Sequence, residues 1–345
     1  MLEKSIRLKD VAKAAGVSQG TASNVFNRPQ LVRPEVRARV EATAKSLGYG
    51  GPDMRGRLLR AGKVNAIGIA VPEPLPYLFA DPFARVLMSA IAEECDAAGA
   101  GLALISAINE ERVAWNVETA LVDGMILLCL ERGTRLVNLA RDRRLPFVAL
   151  QMGVSDEGFS AVGIDNFSAG LAAGRHIVGL GHRRIAILSL HSRAEDVDAA
   201  DFQETQDRLG GYLAALAEAG IERSGVPIFA TNNDPQAARR ATAEMFHSAG
   251  ERPTAIIAMS DLTALAAMDW LHEAGIGVPD EVSVIGFDDI PEAVGANPPL
   301  TTIAQPIADI GRVAVRLILR AERETVQQEL PTALVVRGST ARAPA

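Results

Sequence analysis

Two cysteines in 345 residues, Cys95 and Cys129, are too few for a disulfide framework or a cysteine-built zinc cluster. Cys129 lies in the strand-like run MILLCL, where a buried, inert thiol is the ordinary outcome. Long apolar runs are missing too. Nothing approaches the roughly 18 consecutive apolar residues of a membrane span. The opening MLEKSIRLKD has no apolar stretch of the secretory kind, so the expected location is the cytoplasm. Catalytic signatures are equally scarce. AGAG at 98–101 lacks the third glycine of a dinucleotide loop and precedes a strand, the wrong order for phosphate binding. His176 and His182 stand six apart along a helix and its cap, unsuited to a metal pair. There is no Walker motif or HExxH. Neither an enzyme nor a resident cofactor is expected.

What is present is an ordinary globular composition, 48% hydrophobic and 22% charged, in a chain long enough for two or three domains. The net charge of −7 hides an asymmetry. Residues 1–63 hold 13 Lys and Arg against 5 Asp and Glu, a net of +8; the remainder holds 22 against 37, a net of −15. A basic head on an acidic body suits a polyanion-binding module joined to a solvated sensor.

Within the head, Leu8, Val11, Ala12 and Ala15 recur at helical spacing, and Gly16 can take the positive φ that ends a helix. Val17 plugs the core at the turn, and Ser18 is a good N-cap for a second helix over 19–26 that buries Ala22, Val25 and Phe26. A third helix starts at Pro34 and buries Val36, Val40, Ala44 and Leu47. Two helices joined by a short glycine turn form a helix-turn-helix, whose second helix enters the major groove of DNA. An ordinary three-helix bundle has the same apolar pattern. The face showing Gln19, Gly20, Ser23 and Asn24 argues against it, because a merely solvated face carries Glu and Lys rather than short amides and hydroxyls.

The stretch DVAKAAGVSQGTASNVFN, followed in register by VRPEVRARVEATAKSLGY, resembles the signature of the LacI/GalR family of transcriptional regulators. The resemblance implies that Gln19, Gly20 and Asn24 set operator choice. Asn24 and Gln19 suit bidentate bonding to adenine, whereas Gly20 has no side chain with which to read a base. Thr21, Ser23, Asn27 and Arg28 are the expected backbone-contacting set, and Ser18 counts among the DNA-binding residues. In the segment GGPDMRGRLLRAGK, which alone reads as a basic linker, the resemblance implies a hinge with a leucine wedge for the minor groove. Aligning on LRAGKVNAIGI makes Leu59 the wedge and Arg57 its basic neighbour; counting from Tyr49 points to Leu58. Gly56 stands where the family usually has a helix former.

Beyond residue 64, the apolar runs AIGIAV, GLALIS, GMILLC, FVAL, RIAILS, PIFA, AIIAM and VSVIGF alternate with helical stretches. That alternation predicts parallel sheets covered on both faces, and so many units need two of them. Reversals at 162–166, about 289–298 and after 318 divide the body into a first lobe over about 64–163 and 295–318 and a second over about 164–290 and 322–340. The whole is an α/β chain: a helix-turn-helix head over 1–50, a hinge over 51–63, and a two-lobed body over 64–345.

VDGMILL, LGHRRIAIL, RLGGYLAALAEAGI, PTAIIAMSDLTALAAMDWLHEAGIGVPDEVSVIGFDD and NPPLTTIAQP further resemble the family's sensor domain, which is similar to periplasmic sugar-binding proteins. On that resemblance Arg208 matches a ligand-clamping arginine and Asp288 an acidic residue that accepts ligand hydroxyls. Asp261 starts a helix after a strand, where it or Ser260 serves equally as a cap, and Gln305 lies in the third crossover. Phe83 is either a stacking partner or a core residue. Gln151-Met152 replaces a common Asp-Arg pair, and Asn232 stands near a missing aromatic. Fewer aromatic walls and more amides favour a small polyol, sugar or sugar acid over a flat purine. The implied protein is a dimeric, ligand-responsive repressor of a pseudo-palindromic double-stranded operator. The alternatives are an activator of the same family and, outside it, a solute-binding protein or sugar-converting α/β enzyme. The missing signal peptide and catalytic set weigh against the latter two. The ending VVRGSTARAPA has no leucine heptads that would make a tetramer.

Overall fold

The computed structural model describes residues 6–51, 63–128, 135–150, 158–190, 203–247, 252–320 and 325–344. It divides into two compact units, Met1–Val64 and Asn65–Ala345.

The first unit holds helices α1 (Leu8–Ala14), α2 (Gln19–Asn27) and α3 (Pro34–Ser46) around Val11, Ala12, Ala15, Ala22, Val25, Val40 and Ala44. So small a core depends on well-formed helix ends. α1 and α3 close in the same way. Gly16 and Gly48 take φ of +64° and +68°, and the next residue's N–H returns to the helix: Val17 to Ala12 O at 3.0 Å, Tyr49 to Ala44 O at 2.9 Å. The second closure corrects one expectation. Leu47 is 37% exposed, because the turn at Gly48 brings Tyr49 back instead, its ring 5.6 Å from that of Phe26.

The second unit contains two six-stranded sheets. The first is built from β1 (Ala66–Val71), β2 (Gly101–Ser106), β3 (Gly124–Leu128), β4 (Phe147–Leu150) and β5 (Ser160–Gly163). Helices α4 (Tyr77–Ala80), α5 (Pro82–Ala98), α6 (Glu110–Thr119) and α7 (Arg135–Asp142) connect its strands. The second has β6 (Ile185–Ser189), β7 (Ile228–Ala230), β8 (Ala255–Ala258) and β9 (Ser283–Asp288). Its connections are α8 (Asn166–Gly179), which leads in, α9 (Gln203–Glu218), α10 (Pro235–His247) and α11 (Asp261–Glu273). Along β3 successive side chains alternate between faces, Met125 and Leu127 in one apolar cluster, Ile126 and Leu128 in another. Both faces being covered explains why the strand is apolar throughout.

The end of the chain returns to both sheets. After α12 (Pro291–Gly295), β10 (Thr301–Ala304) runs parallel to β9 with Ala304 opposite Asp288. Helix α13 (Ile307–Arg320) then packs in the first lobe against α5, β3, β4 and β5. Strand β11 (Gln327–Glu329) pairs with β5, and β12 (Ala333–Val335) pairs antiparallel with β10. The lobe boundary expected near 295 therefore falls at about 305. Pairing of β10 with β9 keeps residues up to 304 in the second lobe, and Gln305 lies in the second crossover rather than the third. The first crossover lies within the expected 162–166: β5 ends at Gly163 and Asp165 caps α8, accepting from Ser168 N at 2.9 Å.

Cys95 is buried, and burial pushes its thiol up to about 11, as for an inert core residue. Cys129 lies outside the described residues. Among the described residues no helix is long and apolar enough to cross a membrane, and none of the His, Cys, Asp and Glu side chains form a group of three able to hold a metal ion. His182 is instead a buried structural residue. Its Nδ1 lies 2.9 Å from Thr254 Oγ1, and its Nε2 lies 3.0 Å from Ser283 Oγ and 3.1 Å from Ala341 O.

Candidate functional site

The head exposes one polar helix face. Ser18 is the N-cap of α2, its Oγ accepting from Thr21 N at 3.0 Å, and the two hydroxyls lie 2.9 Å apart. One turn on, Asn27 Nδ2 donates to Ser23 Oγ at 3.1 Å. Gln19, Gly20, Asn27 and Arg28 are exposed, and Asn24 is half-buried on the same helix. A Cβ added at Gly20 would meet only Ser18 Oγ, at 3.8 Å. Packing within the head therefore does not require a glycine there. Arg57, Leu58 and Leu59, the hinge candidates, lie outside the described residues, as do Gln151 and Met152.

Between the lobes of the body is a cavity of about 480 Å³. Arg208, Asp288, Asn232 and Phe83 line it, with Glu73, Tyr77, Asp81, Glu204, Asn233 and Ser260 among the others. Arg208 sits deep because α9 lies close against α8. A Cβ at Gly170 would be 2.4 Å from Arg208 O, and one at Gly211 would be 2.2 Å from Phe167 O and 2.6 Å from Leu171 N. These glycines allow backbone to meet backbone. The guanidinium is held on three sides: Nε and Nη2 donate to Asn166 Oδ1 at 3.2 and 2.9 Å, Nη1 donates to Met259 O, and the plane stacks 3.6 Å from the centre of the Phe287 ring. Three of its five N–H groups are used, leaving two for a bound molecule.

Asp288 ends β9 with φ +126°, followed by Asp289 at +59°. Asn232 and Asn233, after β7, have φ of +50° and +51°. Left-handed non-glycine residues in two adjacent pairs at strand ends facing one cavity are the kind of strain that clusters at binding sites. Asp288 Oδ1 accepts from Gln305 Nε2 at 2.6 Å, and burial holds the Asp288 carboxyl well above the usual range despite the opposing pull of Arg208. Gln305 thus stands behind Asp288 and orients it, without lining the main cavity. Phe83 is only 8% exposed, yet it forms part of the wall; it is both core and lining.

Asp261 departs from its expected role. It is fully buried and absent from the lining; Thr302 Oγ1 donates to its Oδ1 at 2.5 Å and Ile290 N to its Oδ2 at 3.0 Å. The neighbouring Ser260 provides the helix cap, accepting from Thr263 N at 3.3 Å. Asp261 ties β10 and the end of β9 to α11, which fits a carboxylate inside a protein better than one open to a ligand.

Among the lining residues that escape sequence reading are Asp81, Asn233 and Glu204. Asn233 Nδ2 donates to Asp81 Oδ2 at 3.0 Å while Ser260 Oγ donates to Asn233 Oδ1 at 2.7 Å, a chain of bonds from one lobe to the other. Arg85 and Glu292 form a second interlobe pair. Asp81 also caps α5 through Ala84 N at 2.8 Å; burial, the largest influence on it, raises its pKa. The spacing of Glu204, one helical turn before Arg208, is the signal that would have found it.

Residues 7–51 match the family model described as bacterial regulatory proteins, lacI family, and residues 175–340 match the periplasmic binding protein-like domain. The HTH-type transcriptional regulator Rv3575c of Mycobacterium tuberculosis is 35% identical over 98% of this chain and 97% of its own. A structure described as the transcriptional regulator CelR-cellobiose complex is 32% identical with a TM-score of 0.70, covering 97% of this chain and 99% of that one. The lac repressor dimer bound to operator and the anti-inducer ONPF is 27% identical with a TM-score of 0.74, covering 98% and 100%.

Proposed function

The chain belongs to the lacI family of bacterial regulatory proteins, DNA-binding regulators with a ligand-binding domain rather than enzymes, and on that premise we propose that it is a dimeric repressor controlled by a small carbohydrate-like effector. The observation that carries this reading is the chemistry of the cavity. A stacked, three-point-held guanidinium with two free N–H groups faces a buried carboxylate held by Gln305, with the amides Asn232 and Asn233 beside them. Such a set suits adjacent hydroxyls. The similarity to a regulator described with cellobiose points the same way.

On this reading two copies present α2 to the two halves of a pseudo-palindrome, Gln19 and Asn24 contact base edges, and Leu59 enters the minor groove at the centre. The effector favours one relative arrangement of the lobes. Moving a regulator from mostly bound to mostly released needs about 5.5 kcal/mol of differential affinity between the two arrangements. A thermal-shift screen of sugars and polyols is expected to raise the melting temperature with at least one of them, since binding to the folded state stabilises it by mass action. Selection from random duplexes is expected to recover a salt-sensitive palindrome, and reporter output to rise when the gene is deleted. Recovery of no palindrome would sink the operator reading; a fall in reporter output would make the protein an activator.

A further inference from the structure

Among the described residues two buried side-chain oxygens lack a hydrogen-bond partner, Glu204 Oε2 and the Tyr212 hydroxyl, and of these two residues Glu204 is the one lining the cavity. Arg208, one turn along the same helix, does not bond to it; its described bonds go to Asn166 and the Met259 carbonyl. Glu204 also borders a void of about 10 Å³ between itself, Arg208 and Gln305. Four more carboxylates, those of Glu73, Asp81, Asp234 and Asp288, stand around the main cavity, against the single guanidinium of Arg208 among the described lining residues. Three of the four have structural work. Asp81 and Asp234 accept from Ala84 N and Ala237 N at the starts of α5 and α10, and Asp288 accepts from Gln305. Glu204 has none.

Leaving a buried carboxylate oxygen without a donor is costly, and a fold tolerates it where a ligand supplies the missing partner. We propose that Glu204 receives a protonated amine of the effector, so that the ligand is an amino sugar or amino polyol, and that sugar acids and sugar phosphates are refused. An ammonium N–H satisfies Oε2 and forms an ion pair in a site shielded from water, while the two remaining N–H groups of Arg208 and the carboxylate of Asp288 take the hydroxyls. An anionic substituent would instead meet five carboxyl groups against the single guanidinium of Arg208 among the described lining residues. Burial pushes the Glu204 carboxyl up to about 7, so an ammonium beside it draws out the ionised form.

This inference rests on the carbohydrate-like reading of the cavity, and its test separates the two. The full-length protein is titrated calorimetrically at pH 7 with matched sets: glucose, glucosamine and glucuronate; galactose, galactosamine and galacturonate; sorbitol, its 1-amino-1-deoxy analogue and gluconate. In the set that binds, the amine is expected to bind roughly ten- to hundredfold tighter than the neutral compound, with no detectable binding of the acid. Glu204→Gln is expected to remove the amine's advantage, so that amine and neutral compound bind this variant equally. A neutral or acidic member binding as tightly as its amine overturns the inference and leaves the carbohydrate reading standing. Retention of the amine preference by Glu204→Gln overturns the assignment to this residue. Failure of all nine compounds overturns both readings. Should Glu204→Gln not fold, the order of affinities in the unsubstituted protein decides.

Discussion

The two polar surfaces of this molecule are built in opposite ways. On α2, Gln19 and Gly20 lie open at the surface, and the described hydrogen bonds join Ser18 to Thr21 and Ser23 to Asn27 within the helix. Around the cavity the central polar groups already have protein partners: Arg208 with Asn166 and Met259, Asp288 with Gln305, Asn233 with Asp81 and Ser260. The open helix must order its side chains on contact, at a cost in conformational entropy, and can adjust to what it meets. The cavity is ordered in advance, so it discriminates by geometry but ties recognition to the stability of the body. Substitutions in the cavity should therefore change both binding and folding, whereas those on the helix should change binding alone.

The largest expected effect comes from Gly211→Ala. The added carbon would fall 2.2 Å from Phe167 O and 2.6 Å from Leu171 N, both backbone atoms that cannot give way without separating α8 from α9. A loss of about 3 kcal/mol or more in urea unfolding is expected, with loss of effector binding. An unchanged midpoint would mean that the close contact between these helices is not needed to seat Arg208. Next, Arg208→Ala leaves Asn166 Oδ1 and Met259 O without their donor, which costs about 1–3 kcal/mol in stability, and it should also abolish the thermal shift given by an effector. If stability held while binding was lost, the cavity would be less pre-ordered than its bonds indicate.

On the other side of the comparison, Gln19→Ala and Asn24→Ala should each weaken operator binding by about 1–3 kcal/mol, with the melting temperature of the head unchanged. Gel shifts at fixed salt beside a thermal melt test both parts. A clear drop in melting temperature would show that the helix face does structural work after all. The smallest effect concerns His182, whose pKa burial lowers from the usual 6.5. The unfolded chain then takes up a proton more readily than the folded one. Its contribution to stability is complete above about pH 6.5 and falls away as pH drops from there through the lowered folded value. Urea midpoints between pH 7.5 and 5.5 should decline less in a His182→Gln variant than in the unsubstituted protein.

Much of this architecture is legible in the chain. Runs such as AIGIAV and GLALIS mark strands at the residues where they occur, and the pattern around Leu8, Val11 and Ala12 gives α1 and its glycine stop. What escapes is what depends on distant partners. TTIA reads as a strand only once β9 is beside it, and no local feature says to which sheet it belongs, so the lobe boundary moved by about ten residues. Asp261 looks the same in sequence whether it caps a helix, meets a ligand or bonds inward, and only the approach of Thr302 and Ile290 decides. Leu47 fits the helical repeat and is displaced by a turn whose outcome rests on Tyr49 meeting Phe26.

The late return of the chain to both sheets bears on how the protein is made. By Gly163 the ribosome has synthesised β1 to β5, but α13, whose Ile310, Ala314, Val315 and Ile318 are buried in the first lobe, ends only at Arg320. At about 5–20 residues per second that helix arrives roughly 8–30 s later. Until then the first lobe presents an uncovered apolar face. The nascent chain is thus a natural client for chaperones, and slow codons between the two points would lengthen its exposure.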